Sequence, residues 1–184
     1  MAKAKNQQRG LRIIAGEWRG RRLRLPANTA ARPTPDRVRE TLFNWLSSTI
    51  DAAHCLDLYA GSGALGLEAL SRGAAAVQFV ESDPRLAASL EQHLHELGGK
   101  GQVARSTAEQ FLATNQARFD IVFLDPPFDT ALEPILQQLA AALRPGALVY
   151  VERDRKQGLP MPTGVHWRKQ AHAAAVAFGL AVFD

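Results

Sequence analysis

From Cys55 onward, short apolar runs alternate with amphipathic stretches in a regular order. Runs near 55–60, 76–81, 102–105, 119–124 and 146–151 have the length and β-branched or aromatic content of strands. Between them, 64–72, 84–97, 107–114 and 131–143 carry apolar residues at helical spacing. Asp83-Pro84 is a start signal for the second of these helices, whose buried side is Leu86, Leu90, Leu94 and Leu97. In the last helix Leu132, Ile135, Leu136, Leu139 and Leu143 share a face, and Pro145-Gly146 is expected to end it. The stretches 163–168 and 173–182 read as two more strands that pair as an antiparallel edge. Strand–helix alternation of this kind predicts an α/β, doubly wound, mostly parallel sheet with ligands at the carboxyl ends of its strands.

The first 50 residues follow a different pattern. Leu11, Ile13 and the segment 21–25 read as two short strands around Gly16-Glu17-Trp18-Arg19-Gly20, a hairpin that displays arginines. A loop from Pro26 to Pro35 leads into a helix with Val38, Leu42, Trp45, Leu46 and Ile50 on one face. The expected organisation is a disordered basic tail over 1–10, a hairpin and helix over 11–50, and the sheet domain over 51–184.

Charge sharpens this division. The net charge of +4 over 184 residues combines a balance of +9 in residues 1–39 with −5 in the remainder. A basic arm on a mildly acidic body suits a nucleic-acid binder; a solubilising tail is the plainer reading. Trp18, among arginines at the turn, either stacks on a base or covers the domain. The single cysteine, Cys55, opens an apolar run and fits a buried strand in a reducing compartment. No segment approaches the ~20 apolar residues of a membrane span, and no apolar stretch follows the N-terminal charges, so a cytoplasmic chain is expected, and a monomer. His54, His93, His95, His166 and His172 lack metal-ligand spacing, so no metal is expected.

Gly61-Ser62-Gly63-Ala64-Leu65-Gly66 follows the first of the apolar runs, 55–60, and opens a helix, with the spacing of a nucleoside-cofactor turn. Glu81 lies 20 residues after Gly61, where a carboxylate can accept both hydroxyls of a ribose. Asp57 sits inside an apolar strand, where an unpartnered charge costs several kcal/mol. Its partner is either a cationic ligand group or a set of loop amides. After the third strand of the domain, amides near Thr107, Ala108 and Glu109 are placed to meet an adenine edge.

Leu124-Asp125-Pro126-Pro127-Phe128 carries the chemistry. Proline cannot continue a ladder, so the backbone leaves the strand at Pro126. The Asp125 carboxylate, a proline carbonyl and the Phe128 ring then cluster at a strand end. Two acceptors beside an aromatic plate suit a flat base whose exocyclic amine must be held and relieved of a proton. The Phe128 ring would stack on that base; a core role bracing the loop is the alternative.

These motifs, with Arg12–Gly16, Arg19-Gly20-Arg21, Arg32-Pro33-Thr34 and Asp36–Glu40, resemble the bacterial 16S rRNA (guanine-966-N2)-methyltransferases, a family of class I S-adenosylmethionine methyltransferases. The resemblance runs from Leu11 to about Glu152; Ala15, where a glycine is usual, is a mild departure. It implies a Rossmann-like, seven-stranded sheet with an antiparallel last strand and a small N-terminal hairpin. It also implies S-adenosyl-L-methionine as donor and a guanine of 16S rRNA as acceptor. The catalytic residues it implies are Asp125, Pro126, Pro127 and Phe128. Cofactor contacts are expected from Asp57, Tyr59, Gly61, Ser62, Gly63, Glu81, Ser82, Thr107, Ala108 and Thr34. Contacts to RNA, within a small-subunit particle, are expected from Arg12, Trp18, Arg19, Arg21, Arg22, Arg32, Arg37 and Arg39. Three other readings share parts of the pattern: an adenine-N6 methyltransferase, a nicotinamide oxidoreductase, and a non-catalytic RNA-binding assembly factor. The oxidoreductase leaves Asp125–Phe128 unexplained, and the assembly factor has no use for a buried Asp57.

Overall fold

The computed structural model describes residues 10–27, 29, 34–160 and 164–183. Two sheets are present. Strands β1 (Gly10–Arg12) and β2 (Arg22–Arg24) form an antiparallel pair. The main sheet has the order β5-β4-β3-β6-β7-β9-β8, built from β3 (His54–Asp57), β4 (Ala76–Val80), β5 (Gly101–Ala104), β6 (Phe119–Leu124), β7 (Leu143–Asp154), β8 (Val165–Ala173) and β9 (Val176–Phe183). The first five named in that order are mutually parallel. β9 runs antiparallel to both β7 and the edge strand β8. The expected architecture is present, with both final strands forming the antiparallel edge.

Helices α1 (Asp36–Trp45), α2 (Ala64–Ser71), α3 (Pro84–Leu97), α4 (Ala108–Thr114) and α5 (Leu132–Leu139) cover the sheet. Alternate residues of each strand face opposite layers. Val77, Phe79, Ile121, Phe123, Tyr150 and Phe178 pack with α1, α2, α3 and the hairpin. Leu56, Leu58, Val122, Leu124, Val149 and Val151 pack with α4 and α5 on the other face. Leu11, Ile13, Trp18 and Leu23 of the hairpin belong to the first of these layers, so the hairpin shares the core of the sheet instead of standing apart from it.

Three boundaries differ from expectation. The helix expected over 131–143 ends at Leu139, followed by a 3-10 turn over Ala140–Ala142, and β7 already begins at Leu143. Pro145-Gly146 therefore lies inside a strand. The ladder absorbs it as a bulge: two steps along β6, Phe119 to Ile121, match Leu143 to Leu148 on β7, and Gly146 takes φ +76°. β8 reaches Ala173, five residues beyond the expected end, because its exposed Arg168, Lys169 and Gln170 mask a strand that pairs on one side only. The expected disordered tail falls on residues 1–9, outside the described residues, and Gly10 starts β1.

Candidate active site

β3, β4, β5 and β6 end at the same edge of the sheet, and each delivers part of the site. After β3, Gly61 and Gly63 adopt φ of +52° and +78°, left-handed values that glycine accepts without strain. The turn then opens α2 at Ala64. Gly66 is tightly confined: a Cβ there would stand 2.2 Å from Cε1 of Phe79. Asp57 is fully buried, and its Oδ2 accepts a hydrogen bond from the Gly66 amide at 2.9 Å. Of its two candidate partners, the loop amide is therefore present. Desolvation pushes the Asp57 carboxyl up to about 7, with repulsion from Asp125 and Glu81 adding to it.

Glu81, just past β4, braces the same turn. Its Oε2 accepts from the Gly61 amide and its Oε1 from the Asp83 amide, both at 2.7 Å. Exposed Ser82 lies between them in sequence. Asp83 caps α3, accepting from the amides of Arg85 and Leu86, with Pro84 at the first helical position. Thr107 caps α4 in a reciprocal box with Gln110, so its amide already has a partner; Ala108 is buried in the first turn.

Two buried hydroxyls along this edge, Tyr59 Oη after β3 and Ser106 Oγ after β5, lack a hydrogen-bond partner. Buried polar atoms are nearly always paired. Orphans on either side of Glu81, beside an open glycine turn, are what a polar nucleoside ligand would satisfy. The residues present therefore fit such a cofactor. Among the described residues no group of three or more His, Cys, Asp or Glu could hold a metal ion.

β6 ends in Asp125-Pro126-Pro127-Phe128. Thr34, buried just before α1, donates its hydroxyl to Oδ2 of Asp125 at 3.2 Å. Burial raises the Asp125 carboxyl to about 6, against the lowering effect of that hydrogen bond. Thr34, expected among the cofactor contacts, thus stands on the Asp125 carboxylate. Phe128 is 42% exposed, the one large apolar side chain left in solvent among the described residues, so bracing the core is not its role. The loop is held from beneath: the Thr130 amide donates to the Pro127 carbonyl at 3.0 Å, Arg153 Nη1 to the Thr130 carbonyl at 2.6 Å, and Gln157 Nε2 to the Phe128 carbonyl at 2.9 Å.

One buried carboxylate here belongs to no sequence motif. Glu152, on β7, follows Val151, the register partner of Leu124, and so neighbours Asp125 across the parallel ladder. It is buried and accepts from Tyr150 Oη at 2.7 Å. Desolvation and the nearby Asp125 push its carboxyl up to about 8. A charged residue closing the apolar run Ala147–Val151 was the available signal.

The residues expected to grip RNA separate into groups. Arg12, Arg19, Arg21, Arg22 and Arg37 are exposed. Arg32 lies outside the described residues. Trp18 and Arg39 are corrections. Trp18 is 9% exposed, with its ring over Gly99 and its amide on Ser71 Oγ, so it covers the domain and offers no stacking face. Arg39 is 1% exposed and committed to Asp36, Glu68 and the Arg12 carbonyl. Its partner Glu68, fully buried in α2, also accepts from the amides of Ile14 and Ala15 and from Arg72 Nε. This pair pins the hairpin to the helix that follows the glycine turn.

Comparison with known proteins decides the family. The family described as conserved hypothetical protein 95 matches residues 11–180. Ribosomal RNA small subunit methyltransferase D of Escherichia coli is 46% identical over 175 residues, covering 92% of this chain and 88% of the relative. The Haemophilus influenzae enzyme of the same name is 42% identical, covering 95% of each chain. The chain belongs to the ribosomal RNA small subunit methyltransferase D family. Solved structures agree. The Escherichia coli yhhF structure superposes with a TM-score of 0.88 at 43% identity, covering 96% of this chain and 99% of that one. A Thermus thermophilus 16S rRNA N2 G1207 methyltransferase in complex with AdoMet and guanosine gives a TM-score of 0.68 at 26% identity, covering 96% of this chain and 50% of that one. No helix among the described residues is long and apolar enough to cross a membrane.

Proposed function

We propose that the chain transfers a methyl group from S-adenosylmethionine to the exocyclic N2 amine of a guanine in 16S ribosomal RNA, acting in the cytoplasm as a monomer on a small-subunit particle, without a metal. The observation that carries this reading is the juxtaposition at the end of β6: a half-buried carboxylate oriented by Thr34, beside the one large apolar ring left in solvent among the described residues. The names of the relatives, all but one of those quoted being ribosomal RNA methyltransferases, favour RNA over DNA adenine and over hydride transfer as the chemistry.

The cofactor supplies an electrophilic methyl on a sulfonium. Its ribose suits Glu81, its charged groups suit the neighbourhood of Asp57, and Tyr59 and Ser106 offer unpaired hydroxyls. Asp125 and Glu81 stand close enough to Asp57 to raise its proton affinity, so a cation among them would relieve repulsion.

The N2 lone pair of guanine is delocalised into the ring, so the protein's task is orientation and proton removal. Phe128 stacks on the unstacked base, worth ~1–3 kcal/mol. Asp125 and the Pro126 carbonyl accept the two N2–H groups and aim the lone pair. As the methyl carbon passes from sulfur to nitrogen, the sulfur–carbon bond would break to leave a neutral thioether, and Asp125 would take the proton the nitrogen gives up. A carboxyl near 6 is mostly ionised at neutral pH yet still basic enough to take that proton. Thr34 fixes the carboxylate rotamer throughout.

The test is product analysis. Unmodified small-subunit particles incubated with the chain and methyl-labelled S-adenosylmethionine, then digested to nucleosides, will yield N2-methylguanosine. Label on adenosine, or only in protein, would refute the assignment.

A further inference from the structure

The arginine-rich hairpin does not point its tip at the catalytic loop. Its turn is fastened to the far end of α2. The Glu17 amide donates to the Ser71 carbonyl at 2.7 Å, and Ser71 Oγ donates to the Ala15 carbonyl at 2.6 Å. Ser71 is the last residue of α2, whose first residue follows the glycine turn. Eight helical residues, about 12 Å, therefore separate that turn from the cofactor edge. Arg19 and Arg21 sit at this remote end. A different element must hold the RNA where Phe128 takes the base.

We propose that Arg155 and Lys156, in the loop after β7, bind the phosphates flanking the target nucleotide and make this loop a second RNA-binding surface. The inference rests on the function proposed above. β7 lies next to β6 and parallel to it, so its carboxyl end and that of β6 share one edge. Arg153, next to last in β7, and Gln157, in the loop, hold the carbonyls of Thr130 and Phe128. Between them in sequence, Arg155 and Lys156 are exposed, and neither has an ion-pair partner among the described residues. The loop backbone is fixed. The Arg155 amide donates to Ala175, the Lys156 amide to Asp154 Oδ1, and the Gln157 amide to the Asp154 carbonyl.

The loop thus presents two free cations from a backbone tied to the residue that stacks the base. Arg168 and Lys169, farther back along the edge strand β8, are exposed as well. This surface stands out because the chain beyond residue 39 is acidic overall. Unpaired cations beside a base-stacking ring are the arrangement by which single-stranded nucleic acid is held.

The double variant Arg155→Ala/Lys156→Ala, assayed on unmodified small-subunit particles across a salt series, tests this. KM for particles will rise roughly tenfold, and the slope of log affinity against log salt will fall by about 1.4, or ~0.7 for each lost contact to a single strand. The turnover number and the affinity for S-adenosylmethionine will stay within about twofold. An unchanged KM and salt slope would overturn the inference. So would a lowered turnover number at unchanged KM, since the loop would then act only by bracing Phe128. If the unaltered chain methylates no particle RNA, the proposed function itself has failed, an outcome distinct from either.

Discussion

The Thr34 hydroxyl donates to Asp125 across 3.2 Å, joining residues 91 positions apart. Thr34 lies just before α1 and Asp125 just after β6, so the segment leading out of the basic hairpin ends on the Asp125 carboxylate. With Asp125 in the proposed catalytic role, the arm becomes part of the active site. Thr34→Val keeps the shape and removes the donor. The hydrogen bond lowers the Asp125 carboxyl from where burial alone would put it, so its loss raises that carboxyl above about 6. The acid limb of the methyl-transfer pH profile will move to higher pH. The rate at pH 7 will fall roughly 2- to 10-fold, the worth of one hydrogen bond.

Much of this site was legible before any fold. Asp125–Phe128, the glycine turn, Asp57 and Glu81 are local motifs whose residue types are costly or idle elsewhere, and all of them stand at one edge of the sheet. What the sequence concealed was long-range. Glu152 becomes notable only when the β6–β7 register sets it beside Asp125. Arg39 and Trp18 look like surface residues in a basic arm, yet the fold buries them against Glu68 and Gly99, distant partners that no spacing rule announces. Pro145-Gly146 reads as a break, but a bulge accommodates it within β7.

Glu152→Gln will stabilise the protein in alkaline solution. The carboxyl is raised from about 4.5 in an open chain to about 8 when folded. A raised carboxyl contributes stability that is complete below pH 4.5 and is lost as pH rises through 8. Glutamine holds the neutral form at every pH. Thermal unfolding at pH 9 should show a gain on the order of 1–3 kcal/mol, with little difference at pH 4. Equal gains at both pH values would contradict this assignment.

Phe128→Ala should leave stability within about 0.5 kcal/mol, because the ring is largely in solvent. Loss of base stacking should raise KM for the RNA substrate roughly 5- to 150-fold. A lowered melting temperature with unchanged KM would return Phe128 to a structural role.

Glu68→Ala removes the acceptor for two hairpin amides and two arginines. It breaks a buried ion pair and leaves the Arg39 guanidinium with only Asp36 and the Arg12 carbonyl, a loss of about 3–5 kcal/mol. Limited proteolysis should then cut within 10–25 before the sheet domain is attacked, whereas protection equal to that of the unaltered chain would show the hairpin to be held by its apolar contacts alone.

The most direct test of the account is the single-turnover rate of methyl transfer to unmodified small-subunit particles by Asp125→Ala, with affinity for S-adenosylmethionine measured in parallel. The account predicts a rate at least ~100-fold lower, the usual contribution of a positioned proton acceptor, with cofactor affinity changed only a few-fold. A rate within tenfold of the unaltered chain, with the cofactor bound, would contradict the assignment of Asp125 as the group that holds and deprotonates the amine.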